Sequence, residues 1–425
     1  MHPPHAAPQR AGEPACALRG RYRSVRAHTL ELAAPLSPED QCIQSMPDAS
    51  PAKWHLAHTT WFFETVLLER HVPGYRVFDR RLHYLFNSYY EALGPRHPRP
   101  QRGLLTRPSL QEVHAYRAHV DAAMESLLDG ADAAALARVE PIVTLGLHHE
   151  QQHQELLLTD ILHAFSCNPL LPAYRAPAAP ALRLAVQAPA LNWLEHAGGQ
   201  VEIGHAGADF AFDNEGPRHA VLLQPFAIAD RLVSCGEYAQ FIADGGYLRP
   251  ELWLSDGWAA VQAGGWRHPP YWLAPDDPRL AMHGLGGAGH VGGWHVFGLE
   301  GLRPMAPEAP VTQLSFYEAA AFAEWAGARL PTEAEWEAAC GLDGFTQAAG
   351  HAWQWTRSAY DPYPGFRPMP GIAAEYNGKF MVGQLVLRGG SLATPPGHAR
   401  PTYRNFFPPA ARWQFSGLRL AKDRA

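Results

Sequence analysis

His149 and His153 stand four residues apart in the run LHHEQQHQE, residues 147 to 155. On an α-helix this spacing stacks two side chains on one face, one turn apart, so both imidazoles can reach a single ion. The flanking Ile142, Leu145, Leu156 and Leu157 place such a helix partly in a core. The motif is short, and an exposed polar helix carrying histidines by chance is the competing reading. A third ligand has to come from another element. Trp54-His-Leu-Ala-His58 offers two candidates, His55 and His58. His58 lies in an apolar stretch with Leu56, Ala57 and Trp61 to Phe63, where a histidine needs a partner. Either histidine can equally be a satisfied core residue. Three neutral imidazoles with open positions suit Fe(II) or Zn(II). Glu155 could supply a carboxylate ligand. It falls on a different helix face from His153, which favours a supporting role around the ligands.

The elements that must position these groups are helical. RYRSVRAHTLELAAPL has helical spacing of apolar residues, and Trp54 to Arg70 continues in that pattern after Pro51. Ser109-Leu-Gln-Glu112 is a capping box opening a helix to about Leu128. Pro141 is expected to open the last helix, IVTLGLHHEQQHQELLLTDILHAF. Four helices with one long connection, about 71 to 108, predict an up-down bundle over residues 19–167, a fold that builds metal sites from facing helices. Residues 1–18, rich in Pro, Ala and Gly, read as a disordered tail. Residues 168–183, NPLLPAYRAPAAPALR, read as an extended, semi-rigid linker. From 184 to 425 Gly and Trp become common and short apolar runs alternate with turn pairs, predicting a loop-rich α+β domain. Two helices stand out there, Ser315 to Gly327 and Thr332 to about Cys340. In RLPTEAEWE, Thr332 reads as a cap and Glu333, Glu335 and Glu337 as acids favoured by the helix dipole.

Length and composition set bounds. The 425 residues suggest two or three domains, and 47% apolar residues can bury a sizeable core. A net charge of −6 without any basic block argues against nucleic-acid or anionic-membrane partners. The five cysteines, Cys16, Cys42, Cys167, Cys235 and Cys340, are odd in number and widely spaced, so neither thiolate zinc nor a disulfide framework is expected. A reducing cytoplasm fits them best. The first residues lack the apolar core of a secretory signal, and no apolar run is long enough to span a bilayer.

Seven stretches then resemble one family. They are RYRSVRAHTLELAAPLSPEDQCIQSMPDASPAKWHLAHTTWFFE (21 to 64), YLFNSYYEALGPRHPRPQRG (84 to 103), LHHEQQHQE, RLPTEAEWEAA (329 to 339), EYNGKFM (375 to 381), VLRGGS (386 to 391) and TYRNFFPPAARWQFSGLRLA (402 to 421). They resemble the EgtB-like sulfoxide synthases of ergothioneine biosynthesis and their relatives, the selenoneine synthases. The resemblance implies a DinB-like four-helix bundle followed by a formylglycine-generating-enzyme-like domain of C-type-lectin character. It implies a non-haem iron(II) held by His58, His149 and His153, with His55 outside the ligand set. It implies an O2-dependent reaction joining C2 of the imidazole of hercynine, a trimethylated histidine betaine, to a sulfur or selenium donor.

Further roles follow from that resemblance and from the chemistry. Gln152 and Asn405 are expected to donate to the hercynine carboxylate. Phe406, Phe407, Trp413 and Phe415 are candidates for its trimethylammonium group, at about 0.5 to 2 kcal/mol per aromatic contact. Each can also be ordinary core. Tyr90, and next to it Tyr89, match a tyrosine pair of the cysteine-using branch and are expected to deliver a proton. Arg96, Arg99 and Arg102 are candidates to hold a donor carboxylate. The chain departs from the sulfur-using pattern at Gln354, where Glu is customary, at Leu392, where Cys is common, and at Gly383. The resemblance puts these positions in segments that wall the pocket. Such changes around retained iron and hercynine positions favour a selenosugar donor over cysteine or γ-glutamylcysteine. A metal-dependent thiol transferase that needs no O2 and a non-enzymatic lectin-like binding protein are the readings of other classes.

Overall fold

The computed structural model describes residues 12–176, 188–285 and 293–424. It divides into two compact units, one ending at Ile161 and one beginning at Leu162, and each is described by itself.

The first unit is helical. α1 is Gly12–Ala33, α2 is Ala52–Phe62, α3 is Glu69–His71, α4 is Leu82–Phe86, α5 is Leu110–Gly130 and α6 is Ala133–Ser166. Every residue of α2 is buried, as expected for a helix whose sequence is apolar or aromatic around most of its girth. It passes directly into a π-helical turn, Phe63–Leu68. The capping box at Ser109 forms as read: Glu112 N–H donates to Ser109 Oγ at 3.2 Å, and Ser109 N–H to the Glu112 carboxylate at 2.6 Å. Gly146 lets α6 approach α2 closely, because a Cβ there would lie 2.7 Å from the Phe63 ring. One turn further along α6 come the two histidines.

Three expectations change in this region. Pro141 does not open the last helix. It lies inside α6, which already runs from Ala133. The Ala-rich turn before it is a strong helix former, and Pro141 is exposed, so water can satisfy the one carbonyl that loses its N–H partner. The tail read as disordered over 1–18 is already helical from Gly12, with Leu18 buried, while its first 11 residues lie outside the described ones. The stretch read as linker begins packed: Leu171 and Tyr174 are buried, and Arg175 N–H donates to the Leu299 carbonyl at 3.1 Å. Its residues 177–183 lie outside the described ones.

The second unit is mixed. β1 (Trp193–His196), β4 (Phe226–Ala229) and β12 (Ala421–Asp423) form one antiparallel sheet in the order β1-β4-β12. A second sheet has the order β10-β9-β8-β11, with β8 at Trp353–Ala359, β9 at Leu385–Gly389, β10 at Asn405–Phe407 and β11 at Ser416–Gly417. β2 (Gly199–Ile203) pairs with β3 (His219–Leu223), and β5 (Trp272–Leu273), β6 (His295–Gly298) and β7 (Gly301–Pro304) form a small third meander. α7 (Cys235–Ala243), α8 (Ser255–Gly264), α9 (Pro278–Met282), α10 (Phe316–Trp325) and α11 (Glu333–Ala339) complete the unit. The two helices read from sequence are α10 and α11, both closed by capping boxes.

The acids of α11 do more than answer its dipole. Glu333 pairs with Arg404 at 2.8 Å, Glu335 with Arg329 at 2.7 Å, and Glu337 with Arg388. Arg388 and Arg404 are fully buried, so α11 clamps β9 and the residue preceding β10 through charge. Gln354 also departs from expectation. It is wholly buried rather than on a pocket wall. Its Oε1 accepts from Trp336 Nε1 at 2.7 Å and Arg419 Nε at 2.9 Å, while its Nε2 donates to the carbonyls of Gln347 and Ala348, both at 3.1 Å. Two donors and two acceptors around one side chain call for an amide, which explains glutamine here without reference to any substrate.

Candidate metal centre

α6 is fixed in its rotation by the face next to its histidines, about 100° further round the helix. Glu150 is completely buried and accepts from Arg26 at 2.9 Å, Arg117 at 2.5 Å and Thr29 at 2.6 Å. One turn on, Gln154 Nε2 donates to the Val25 carbonyl and to Thr29 Oγ1, each at 2.9 Å. Burial alone would raise the Glu150 carboxyl, but Arg117 and Arg26 outweigh it and hold it near about 2. Glu150→Gln leaves the buried Arg117 guanidinium without its carboxylate and Arg26 with Asp121 alone, and is expected to destabilise the fold by about 3–5 kcal/mol. Urea unfolding of the variant beside the parent measures this.

With α6 so held, His149 and His153 face α2. The ligand atoms of His58, His149 and His153 all lie within 4.8 Å of one another, and all three side chains are buried. His58 Nε2 and His149 Nε2 are 3.1 Å apart. Two nitrogens about 2.1 Å from one ion, at right angles, would be separated by about 3 Å, so the observed spacing fits a shared metal. His58 Nδ1 donates to the Phe86 carbonyl at 2.6 Å, and its ring is stacked between Trp54 (centroids 4.5 Å) and Trp61 (5.5 Å). The donor set fits a divalent metal: three neutral nitrogen ligands in an enclosed, aromatic surround.

Electrostatics keep these imidazoles neutral. Burial lowers all three. His149 adds to the effect at His58 and at His153, while at His149 itself burial overrides the favourable Glu150 carboxylate and brings the ring to about 3. A histidine neutral in the fold but protonatable when unfolded contributes stability above its unfolded value of about 6.5, and loses it as pH falls toward the folded value. Metal-free protein should therefore lose thermal stability steeply below pH 6.5. Replacing all three histidines by glutamine should flatten the profile between about pH 6.5 and 4.5, above the range where carboxylates take over. Melting curves across pH check this.

The other residues singled out from sequence fall into distinct places. Tyr90 is completely buried, tilted against Trp61 at 5.6 Å and stacked on Tyr89 at 4.6 Å. Asn87 shapes this loop: its Oδ1 accepts from Tyr90 N–H at 3.1 Å and its Nδ2 donates to the Tyr90 carbonyl at 3.0 Å. Only Arg102 of the three arginines points inward. Its guanidinium lies 3.4 Å over the Trp54 ring and donates to Ser50 at 2.8 Å and Ser88 at 3.1 Å. Arg96 pairs with Glu91 on the surface, and Arg99 donates to the Asp48 carbonyl. Gln152 lies half-buried on α6 between the two histidines, and Glu155 is also half-buried but outside the cluster.

Asn405, Phe406 and Trp413 belong to the second unit. Asn405 on β10 pairs with Leu387 on β9, and Phe406 stacks on Tyr360 at 4.0 Å. Trp413 meets Phe407 edge-on at 6.3 Å. Leu392 and Phe415 line a cleft of about 410 Å³ in that unit, together with Cys235 and Gln313.

Residues 21–157 match the DinB superfamily, and residues 193–346 and 342–424 match the sulfatase-modifying factor enzyme 1-like domain. These are the helical bundle and the mixed domain expected from sequence. The hercynine oxygenase of Mycobacterium tuberculosis (strain ATCC 25618 / H37Rv) is 32% identical over 447 residues, covering 94% of this chain and 97% of the relative. The chain belongs to the hercynine oxygenase family. A second hercynine oxygenase, from Mycolicibacterium smegmatis (strain ATCC 700084 / mc(2)155), is 32% identical over 89% of this chain and 92% of its own. Ergothioneine biosynthesis protein 1 of Schizosaccharomyces pombe (strain 972 / ATCC 24843) is 26% identical over 50% of this chain and 28% of its own.

Beside the cluster of this hercynine oxygenase family member, His55 lies buried next to a cluster histidine, and its partner Asp160 was not assigned from sequence. His55 Nδ1 is 2.8 Å from His153 Nδ1, and His55 Nε2 is 3.0 Å from the Asp160 carboxylate, which also accepts from Ser50 N–H at 2.8 Å. A signal existed: Asp160 is seven residues, two turns, after His153 and so on the same helix face. Among the described residues, no helix is long and apolar enough to cross a membrane.

Proposed function

We propose that this protein is an O2-dependent non-haem iron(II) enzyme that forms a carbon–chalcogen bond at the imidazole C2 of hercynine. The observation that carries this is the convergence of His58, His149 and His153, all buried, in a chain of this family. Iron(II), when bound there, supplies Lewis acidity and the electrons that open the chemistry of dioxygen.

The chain's own residues do the rest. Stacking on both faces of His58 and the bond from its Nδ1 to Phe86 hold that ligand in orientation. Gln152, carried on the helix turn between His149 and His153, donates to the hercynine carboxylate. Tyr90, buried against Trp61, holds the proton delivered as O2 is reduced. Holding reactants in register here replaces a difficult collision with a bound geometry.

For the donor we favour a selenosugar over cysteine and γ-glutamylcysteine. Arg102 is the one buried arginine of its loop; its planar face lies over Trp54, and one donor goes to Ser50 and one to Ser88. A bidentate carboxylate clamp would compete with those contacts, whereas a neutral sugar needs only hydroxyl partners. The five cysteines are free thiols, which suits a reducing cytoplasm.

The test is a comparison of donors under air. Protein reconstituted with Fe(II) receives hercynine and, separately, a selenosugar, cysteine or γ-glutamylcysteine, and products are read by mass spectrometry. The selenosugar is expected to give the largest yield, and none without O2. A preference for cysteine overturns the donor assignment. Hercynine left unconsumed with all three overturns the reaction.

A further inference from the structure

The second ring nitrogen of each ligand histidine determines which nitrogen is free to bind a metal. For His58 the arrangement is direct: the Phe86 carbonyl can only accept, so Nδ1 carries the proton and Nε2 keeps the lone pair. For His153 the decision is made two residues away. Its Nδ1 lies against another imidazole nitrogen, His55 Nδ1, at 2.8 Å. Such a contact is a hydrogen bond only if one nitrogen is protonated and the other bare.

Asp160 resolves the choice. Its Oδ2 already accepts from Ser50 N–H at 2.8 Å, and a carboxylate oxygen has only lone pairs to offer His55 Nε2 at 3.0 Å. A neutral His55 therefore carries its proton on Nε2, and its Nδ1 accepts. His153 must then donate from Nδ1, which leaves Nε2 bare. All three side chains are buried, at 6% relative exposure for Asp160 and 2% for His55, so water does not compete for these bonds.

We propose that His55 and Asp160 are positioning residues for the metal centre: Asp160 sets the tautomer of His55, which fixes His153 in its Nδ1-protonated form with the Nε2 lone pair available to the ion. This role rests on the reading that the three histidines bind a divalent metal. Neither residue is a ligand, and neither touches the reacting atoms.

The experiment has two arms. In the first, metal-free protein is titrated with Co(II), whose visible absorption reports ligation. His55→Leu and Asp160→Leu are expected to bind cobalt about 10- to 100-fold more weakly than the parent. His55→Gln should recover most of the affinity, because its amide oxygen can accept from His153 Nδ1. Asp160→Asn should fall between, since its oxygen still accepts from Ser50 and His55 but the charge is gone. In the second arm, nitrogen-15 NMR of the metal-free parent reads the tautomer of His153, identified by its loss in His153→Gln. The proton is expected on Nδ1, and this readout needs no variant at position 55 or 160 to fold. A proton on Nε2, parental affinity in His55→Leu, or a His55→Gln variant as weak as His55→Leu each overturns the relay. A parent that binds no cobalt while His153 carries its proton on Nδ1 overturns the metal reading and leaves the tautomer relay standing.

Discussion

His149→Ala is expected to abolish metal retention and hercynine consumption while leaving the helical content of the protein intact. The position is buried on α6, and its Nε2 sits 3.1 Å from His58 Nε2, so alanine removes the imidazole while Glu150, on the neighbouring face, keeps its hydrogen bonds. Two remaining imidazoles hold a divalent ion poorly, and the several kcal/mol of barrier lowering that a metal contributes goes with it, at least about a thousandfold in rate. His153→Ala should behave alike. His58→Ala should also loosen the Phe86 carbonyl it binds, so a modest drop in melting temperature should accompany the loss. Metal content by plasma emission, turnover by mass spectrometry and circular dichroism separate these effects. Undiminished turnover in His149→Ala would refute the assignment.

Tyr90→Phe is expected to lower kcat by about 10²- to 10⁴-fold, the range for removal of a positioned acid, with metal content unchanged. Only the hydroxyl is lost. The ring contacts with Trp61 and Tyr89 and the backbone bonds to Asn87 all survive. KM for hercynine should change little, because in the proposed role the phenol acts on proton delivery rather than on substrate binding. Tyr89→Phe, at a half-buried position, is expected to have the smaller effect. If Tyr89→Phe carries the larger loss, the two roles exchange. If neither variant slows turnover, the tyrosine pair is packing alone.

The histidine pair was legible because a four-residue spacing translates directly into one helix face. The capping box of α5 was legible for the same reason: it is local, and its partners lie three residues apart. What escaped was long-range. Glu150 sits beside a ligand in sequence, yet its partners Arg26 and Arg117 are 124 and 33 residues away. The Asp160–His55 contact spans 105 residues. Gln354 looked like a change in a pocket wall, and only the four groups around it show why an amide is required. Arg96, Arg99 and Arg102 share one loop, and their sequence gives no sign that Arg102 alone would turn inward over Trp54. Pro141 misled because helix propensity on its N-terminal side outweighs the single bond it forfeits.

The buried ion pairs of Glu150 anchor α6 whether or not an ion is present, and this sets the character of the cofactor. In small zinc domains the ion is the core, and stripping it unfolds the chain. Here the scaffold stands on its own packing, so a chelator should silence the protein without melting it. Resupplying metal should then revive it, leaving a catalyst whose output can follow the metal available to it.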